Sequence, residues 1–233
     1  KKRKSVTKNG IKEIAKDLIK NTAKRLLSKS PAIILDSFEY DKFASTFPFI
    51  ETEDQLNAIE DIKSDFLKKH PSDRLIVGDV AYGKSELIIR AVFLIAKSSL
   101  QSLILVPTTL LARQHFYNFN KRFHLFGIKI KQLSRLVSIR ERNETINELK
   151  SGKIDCIIGT HALLSENIAF KNLGLIIIDE EQHFGVIAKE KLTNLSQNII
   201  NGNSLIDDKN VDQTAFVWKE KFPAIMKNGG FDI

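Results

Sequence analysis

Leu75-Ile-Val77-Gly78-Asp79-Val80-Ala81-Tyr82-Gly83-Lys84-Ser85 is the stretch whose reading decides the fold. A short apolar run ends in glycine, and Gly83-Lys84-Ser85 follows after a four-residue gap. A helical pattern then runs from Ser85 to Ala96. This spacing satisfies the phosphate-loop pattern at every fixed position. Glycine lets the backbone curl so that successive N–H groups face one anion. The helix that follows presents its positive end to the same anion. Lys84 is expected to reach the β- and γ-phosphates of a nucleotide, and the Ser85 hydroxyl to hold Mg2+. The expected ATP-binding set in the loop is Gly78, Asp79, Val80, Ala81, Tyr82, Gly83, Lys84 and Ser85. A loop that merely needs glycine would carry the same fixed positions, but the flanking strand and helix argue against that reading.

The surroundings extend the pattern in both directions. Downstream, strands are expected at 103–106, 128–133, 154–158 and 175–178, and helices at 110–123 and 139–150. Uninterrupted apolar strands alternating with helices predict a parallel sheet covered on both faces, an α/β fold. Upstream, Glu53 to Leu67 reads as a helix with Thr52 as its N-cap. The aromatic-rich stretch from Asp36 to Phe47 reads as irregular. Ile11, Ile14, Ala15, Leu18, Ile19, Ala23, Leu26 and Leu27 recur at three- and four-residue spacing. They predict a basic amphipathic helix ahead of the sheet.

A second chemical element is Leu175-Ile-Ile-Ile178-Asp179-Glu180-Glu181-Gln182. Four apolar residues place the strand in the sheet centre, and its carboxylates emerge at the C-terminal edge, where open α/β sheets bind ligands. Asp179 is expected to hold Mg2+ through water, and Glu180 to polarise the attacking water. Lys84, Asp179 and Glu180 are therefore the expected catalytic residues. The alternative is a solvated acidic turn, disfavoured because the phosphate loop demands such a partner.

Composition bounds the rest. The chain has 233 residues, 42% hydrophobic and 27% charged, enough to bury a proper core. No apolar run approaches a membrane span, and no signal peptide is evident at the start, so a cytoplasmic location is expected. The single cysteine, Cys156, excludes an internal disulfide and reads as an inert buried thiol. The net charge of +8 is uneven: residues 1–30 hold eleven Lys/Arg against two acids, leaving the remainder at −1. A basic arm of that kind fits a phosphate backbone, an acidic protein surface or a solvated helix face.

These motifs together resemble a superfamily-2 helicase motor, with a RecA-like sheet of the P-loop NTPase type. Phe49-Ile-Glu-Thr52-Glu-Asp-Gln55 resembles the adenine-reading segment of that group, which implies that Gln55 pairs with the adenine edge and Phe49 packs near the base. Val106-Pro-Thr108-Thr-Leu-Leu-Ala-Arg-Gln-His115 resembles the motif that grips the DNA backbone, with Thr108 as a phosphate contact. Gly159-Thr160-His161 resembles the second DNA-contacting motif. Asp179-Glu-Glu181-Gln182-His-Phe-Gly-Val186 resembles the acidic motif of a narrow group of DNA translocases, with Glu181 and Gln182 as coupling residues.

Within that group, residues 1 to about 192 are similar to the bacterial transcription-repair coupling factor family, with the fork-reversing helicases as the alternative. The lysine-rich helix before the motor favours the former. The resemblance implies ATP and Mg2+ as cofactors, double-stranded DNA as track, and RNA polymerase and excision-repair proteins as partners. The sequence departs from the family at Ala81, where glycine is usual, at His183, where arginine is common, and at Ala162, where a longer side chain is common. A small P-loop kinase is excluded because candidate lid and acceptor segments are lacking.

The expected organisation is a connector helix at 1–30, a first motor lobe at 31–193, and an unrelated or truncated tail at 194–233. Such motors close ATP between two lobes, the second supplying an arginine finger. The coupling motif expected after Leu192 and the second lobe are not found in these residues. The expectation is a truncated fragment with little turnover, or a nucleotide- and DNA-binding remnant. The stretch from Asn198 to Ile233 resembles a piece of adenine-specific DNA methyltransferases, which implies a fusion whose tail packs poorly on the lobe.

Overall fold

The computed structural model describes residues 27, 29–30, 33, 36–78, 83–134, 137–164, 168–180 and 199–203. Among these residues five helices and six strands follow one another as α1 (Ser37–Ala44), α2 (Glu53–Phe66), β1 (Asp73–Val77), α3 (Lys84–Lys97), β2 (Gln101–Leu105), α4 (Thr109–Phe123), β3 (Ile130–Leu133), α5 (Ile139–Ser151), β4 (Cys156–Gly159), β5 (Leu173–Asp179) and β6 (Ile199–Asn203). The strands form one sheet in the order β1-β6-β5-β2-β4-β3, with every neighbouring pair parallel. The expected parallel α/β sheet is thus the observed one.

The sheet is buried on both sides because its strands carry apolar residues on both faces. Along β2, Ile104 joins one core, while Leu103 and Leu105 join the other. Along β5, Leu175 and Ile177 face the first core, and Ile176 and Ile178 the second. Helices α1 to α4 cover the first face, where Phe43 stacks on Phe93 at 4.1 Å and on Phe123 at 5.4 Å. The second face is covered by α5 through Leu149 and by the short turn His161–Leu164.

Local chemistry explains the helix ends. Thr52 and Gln55 form a reciprocal capping box that opens α2, bearing out the expected N-cap. Ser138 and Glu141 do the same for α5, which Gly152 closes at φ +77°.

Two expectations are corrected. The segment 36–47 is not irregular throughout: Asp36 accepts the Glu39 N–H at 3.1 Å and caps α1. Two turns are too short for a periodic signal, and the burial of Tyr40 and Phe43 against α3 holds them helical. Secondly, strand β6 lies beyond the expected lobe boundary at 193. It pairs with β1 on one side and β5 on the other, so residues 199–203 sit inside the sheet. A parallel sheet leaves its backbone groups unpaired wherever a strand is missing, and the gap between β1 and β5 needs a filler. The rest of the tail lies outside the described residues, as does nearly all of the basic connector helix.

Gln101 is a buried polar residue that the sequence reading passed over. Its amide donates to the carbonyls of Leu149 at 2.9 Å and Ile154 at 2.8 Å. Its carbonyl accepts the N–H groups of Lys171 at 2.8 Å and Asn172 at 3.1 Å. One side chain so ties the end of α5 to the approaches of β4 and β5.

Candidate nucleotide site

Because all strands run the same way, every strand-to-helix turn opens on one edge of the sheet. Gly78 follows β1, Val106 follows β2, Thr160 follows β4, and Asp179 ends β5. The register places Asp179 level with Gly202, and Gly202 level with Ile76. Two strand spacings, about 10 Å, therefore separate the acidic strand end from the strand that leads into the loop. The fold brings together the two motifs that stand about a hundred residues apart in the chain.

Gly83 caps α3 in the left-handed region at φ +74°. A Cβ there would sit 2.4 Å from the Gln55 amide nitrogen. Glycine is required by the left-handed conformation, whereas the Gln55 amide is the end of a flexible side chain and could move aside. Lys84 starts α3, and its ammonium donates to the Gly78 carbonyl at 2.5 Å, spanning the mouth of the loop. Ser85, in the first turn of α3, is exposed. Asp79, Val80, Ala81 and Tyr82 lie outside the described residues, as do Glu181, Gln182 and His183.

Gln55 takes part in the capping box: its side-chain oxygen accepts the Thr52 N–H at 3.0 Å. Pairing with an adenine edge would compete with that bond. Phe49 is 72% exposed and meets Phe47 edge-on at 5.5 Å, leaving most of its ring open to a base. The segment is anchored by buried charge. Arg90 on α3 hydrogen-bonds Glu51, and also Glu86 at 2.9 Å. Arg122 on α4 donates to both oxygens of Glu86 at 3.1 Å. Burial works against the charged Arg90, but the bonds to Glu86 and Glu51 outweigh it and hold its pKa above the ordinary value. The network joins the segment before α2 to the helix that leaves the loop.

Asp179 is nearly enclosed, and its Oδ2 lies 2.8 Å from Nε2 of His115. Glu180 adopts φ +56°, a left-handed conformation rare for a glutamate. A backbone turned in that way breaks the strand at the acidic motif, and such outliers cluster at functional sites.

The expected DNA-contacting residues divide. Thr108 is exposed and caps α4, its hydroxyl accepting the Leu111 N–H at 3.2 Å. His161 is exposed at the start of its turn. Gly159 is enclosed within the sheet, where a Cβ would meet the Leu133 carbonyl at 2.1 Å. Packing between β3 and β4 accounts for that glycine. Thr160 is buried. Cys156 is also buried in the sheet, and burial pushes its thiol well above the ordinary value, which suits an inert core residue.

The donor set suits an anion beside a divalent cation: a glycine-capped helix start, an ammonium, a hydroxyl and a strand-end carboxylate. His115 is a site residue that the sequence reading left without a role. A signal was present, since Ala112, His115, Phe119 and Phe123 follow helical spacing on the buried face of α4.

Comparisons with known proteins agree with the parallel α/β fold. The chain is 55% identical over 198 residues to the transcription-repair-coupling factor of Rickettsia typhi, a match covering 83% of this chain and 18% of that protein. It is 47% identical over 196 residues to the transcription-repair-coupling factor of Bacillus subtilis, covering 84% of this chain and 17% of that protein. The chain thus spans less than a fifth of the length of these curated relatives. Among solved structures, RecG bound to a three-way DNA junction matches with a TM-score of 0.69 and 30% identity, covering 78% of this chain and 25% of that one. The family model described as DEAD/DEAH box helicase matches residues 52–210, well over half of the sequence, and the chain belongs to that family.

Proposed function

We propose that residues 31–193, completed by strand β6, form the ATP–Mg2+-binding lobe of a DNA translocase that serves transcription-coupled repair. Residues 1–30 form its basic connector, and the remaining tail is foreign to the lobe. The observation that carries the reading is the meeting of the Lys84 loop and the Asp179 strand end on one edge of a parallel sheet. The 55% identity to a transcription-repair-coupling factor supports the choice of process.

Bound ATP with Mg2+ would supply the reactive γ-phosphate and the cation that neutralises it. Lys84 and the N–H groups at the start of α3 bind the phosphates, and Ser85 and Asp179 hold the cation. Glu180, next to the metal-holding carboxylate, would polarise the attacking water. Gln55 and Phe49 orient the base, while Thr108 and His161 meet the DNA backbone. Glu181 and Gln182 couple the two sites. By family, the track is duplex DNA, the partners are RNA polymerase and excision-repair proteins, and the location is cytoplasmic.

A junction-remodelling helicase lobe is the second reading, favoured by the likeness to RecG. The 30% identity of that match against 55% for the coupling factor favours the first. One lobe by itself lacks an arginine finger from across the cleft, worth about 10³–10⁵ in rate. Assayed without a partner lobe, this lobe is therefore expected to bind nucleotide and turn it over slowly.

Binding of a fluorescent ATP analogue with Mg2+, measured beside ATP hydrolysis with and without duplex DNA, tests the proposal. Saturable binding is expected in the native chain and a loss of at least tenfold in Lys84→Ala. Lys84→Ala binding as tightly as the native chain would remove the assignment. Robust DNA-stimulated turnover would overturn the account of the single lobe.

A further inference from the structure

Helix α4, capped by Thr108 at the sheet edge, runs back across the first core. Two turns in, it carries His115, which is 3% exposed. The ring leans on Phe119, with centroids 5.4 Å apart, and its Nε2 lies 2.8 Å from Oδ2 of Asp179. The other ring nitrogen, Nδ1, is buried and has no hydrogen-bond partner among the described residues. That asymmetry fixes the tautomer. A carboxylate accepts only, so Nε2 carries the hydrogen and donates. A hydrogen on Nδ1 would be a buried donor without an acceptor, which is the costlier arrangement. The Nε2–H tautomer leaves Nδ1 as an unpaired acceptor, the less costly of the two arrangements. The bond takes up one oxygen of Asp179 and leaves Oδ1 outside it.

We propose that His115 is a positioning residue for the metal-holding carboxylate: its Nε2–H fixes the Asp179 side chain so that its remaining oxygen serves Mg2+. The inference rests on the proposed nucleotide site and adds to it a residue outside the phosphate loop and the acidic motif. A ring N–H bonded to a ligating carboxylate fixes that carboxylate's orientation without touching the metal. Such partners are worth 10- to 100-fold in metal affinity, about tenfold being expected where one bond is involved. His115 contributes no atom to the nucleotide or the cation and acts through Asp179 alone.

The test is the Mg2+ concentration that half-saturates the binding of a fluorescent ATP analogue to the full 233-residue chain. His115→Leu should raise this half-point about tenfold. His115→Gln, whose amide N–H reaches the place of Nε2–H, should restore most of it. In an Asp179→Asn background, His115→Leu should add nothing, because the two residues act as one unit. A folded His115→Leu chain with a half-point within twofold of the native value overturns the inference, and so does full additivity with Asp179→Asn. A nitrogen-15 NMR spectrum of the native histidines keeps the question open to refutation if His115→Leu fails to fold. The Nε2–H tautomer is expected for His115, and the Nδ1–H tautomer overturns the inference. These outcomes leave the nucleotide site standing. Absence of any Mg2+-dependent nucleotide binding by the native chain overturns the site and, with it, the role of His115.

Discussion

Replacing Gln101 by leucine keeps the size of the side chain and removes all four of its hydrogen bonds. Gln101 is 4% exposed, so water does not replace them at the side chain. The cost differs at each partner. The Leu149 carbonyl keeps a second donor, the Gly152 N–H at 3.1 Å. Lys171 and Asn172 are exposed residues, so their N–H groups regain water at a cost of about 0.5–1 kcal/mol each. The Ile154 carbonyl sits in a buried residue and is left without this donor, at about 1–3 kcal/mol. The added apolar surface returns about 1 kcal/mol. The net expectation is a loss of about 2–4 kcal/mol for Gln101→Leu.

Gln101→Glu sharpens the test. It turns the donating end toward two carbonyls as an oxygen, and at neutral pH it buries a charge. Its loss should exceed that of leucine at pH 7. The folded-state pKa of that carboxyl would be raised by burial, so protonation returns a donor and stability. The penalty therefore grows as pH rises through the unfolded value of about 4.3 and shrinks below it. Urea unfolding followed by circular dichroism, at pH 7 and pH 4, reads both effects. A Gln101→Leu chain within 0.5 kcal/mol of the native protein would refute the reasoning, as would a pH-independent Gln101→Glu penalty.

Three further outcomes are expected. Gly159→Ala drives a methyl group against the Leu133 carbonyl and the Leu163 side chain. It should cost about 2–3 kcal/mol, read as a lowered melting temperature in calorimetry with or without DNA present. Glu86→Ala leaves Arg90 and Arg122 facing one another without their shared carboxylate and should cost about 3–5 kcal/mol in a urea titration. Asp65 is buried, and although burial alone would raise its pKa, hydrogen bonds from Arg74 and Lys68 hold it below the ordinary 3.8. Its contribution is therefore complete above about pH 4 and lost as pH falls through the lower folded value. Asp65→Asn should destabilise the chain at pH 7, and the gap to the native protein should narrow below pH 4.

Much of the architecture was legible in the chain. The strands and helices from β1 to β5 fall within about two residues of where periodicity puts them, because apolar runs mark the strands, helical spacing marks the helices, and Gly78, Pro107, Gly152 and the caps Thr108 and Ser138 mark several boundaries. Helix α1 was not legible, since two turns held by Phe43 and Tyr40 leave no repeating pattern. Strand β6 was missed because Ile199–Asn203 contains a glycine and two asparagines, a composition that reads as loop. Its place comes from the gap it fills between β1 and β5.

The site shows the same division. The sequence by itself determined the loop pattern of Gly78, Gly83, Lys84 and Ser85 and the carboxylate at the end of an apolar strand. Local spacing suffices there, because the phosphate loop uses backbone geometry and an adjoining helix start. Only the tertiary structure decided that Gln55 packs on Gly83, that Arg90 and Arg122 share Glu86, and that His115 reaches Asp179. Apart from Arg90–Glu86, which are four residues apart on α3, these contacts join residues 28 to 64 positions apart. They exist only once sheet order and helix packing have set which side chains meet, and strand register has set the level at which Asp179 stands.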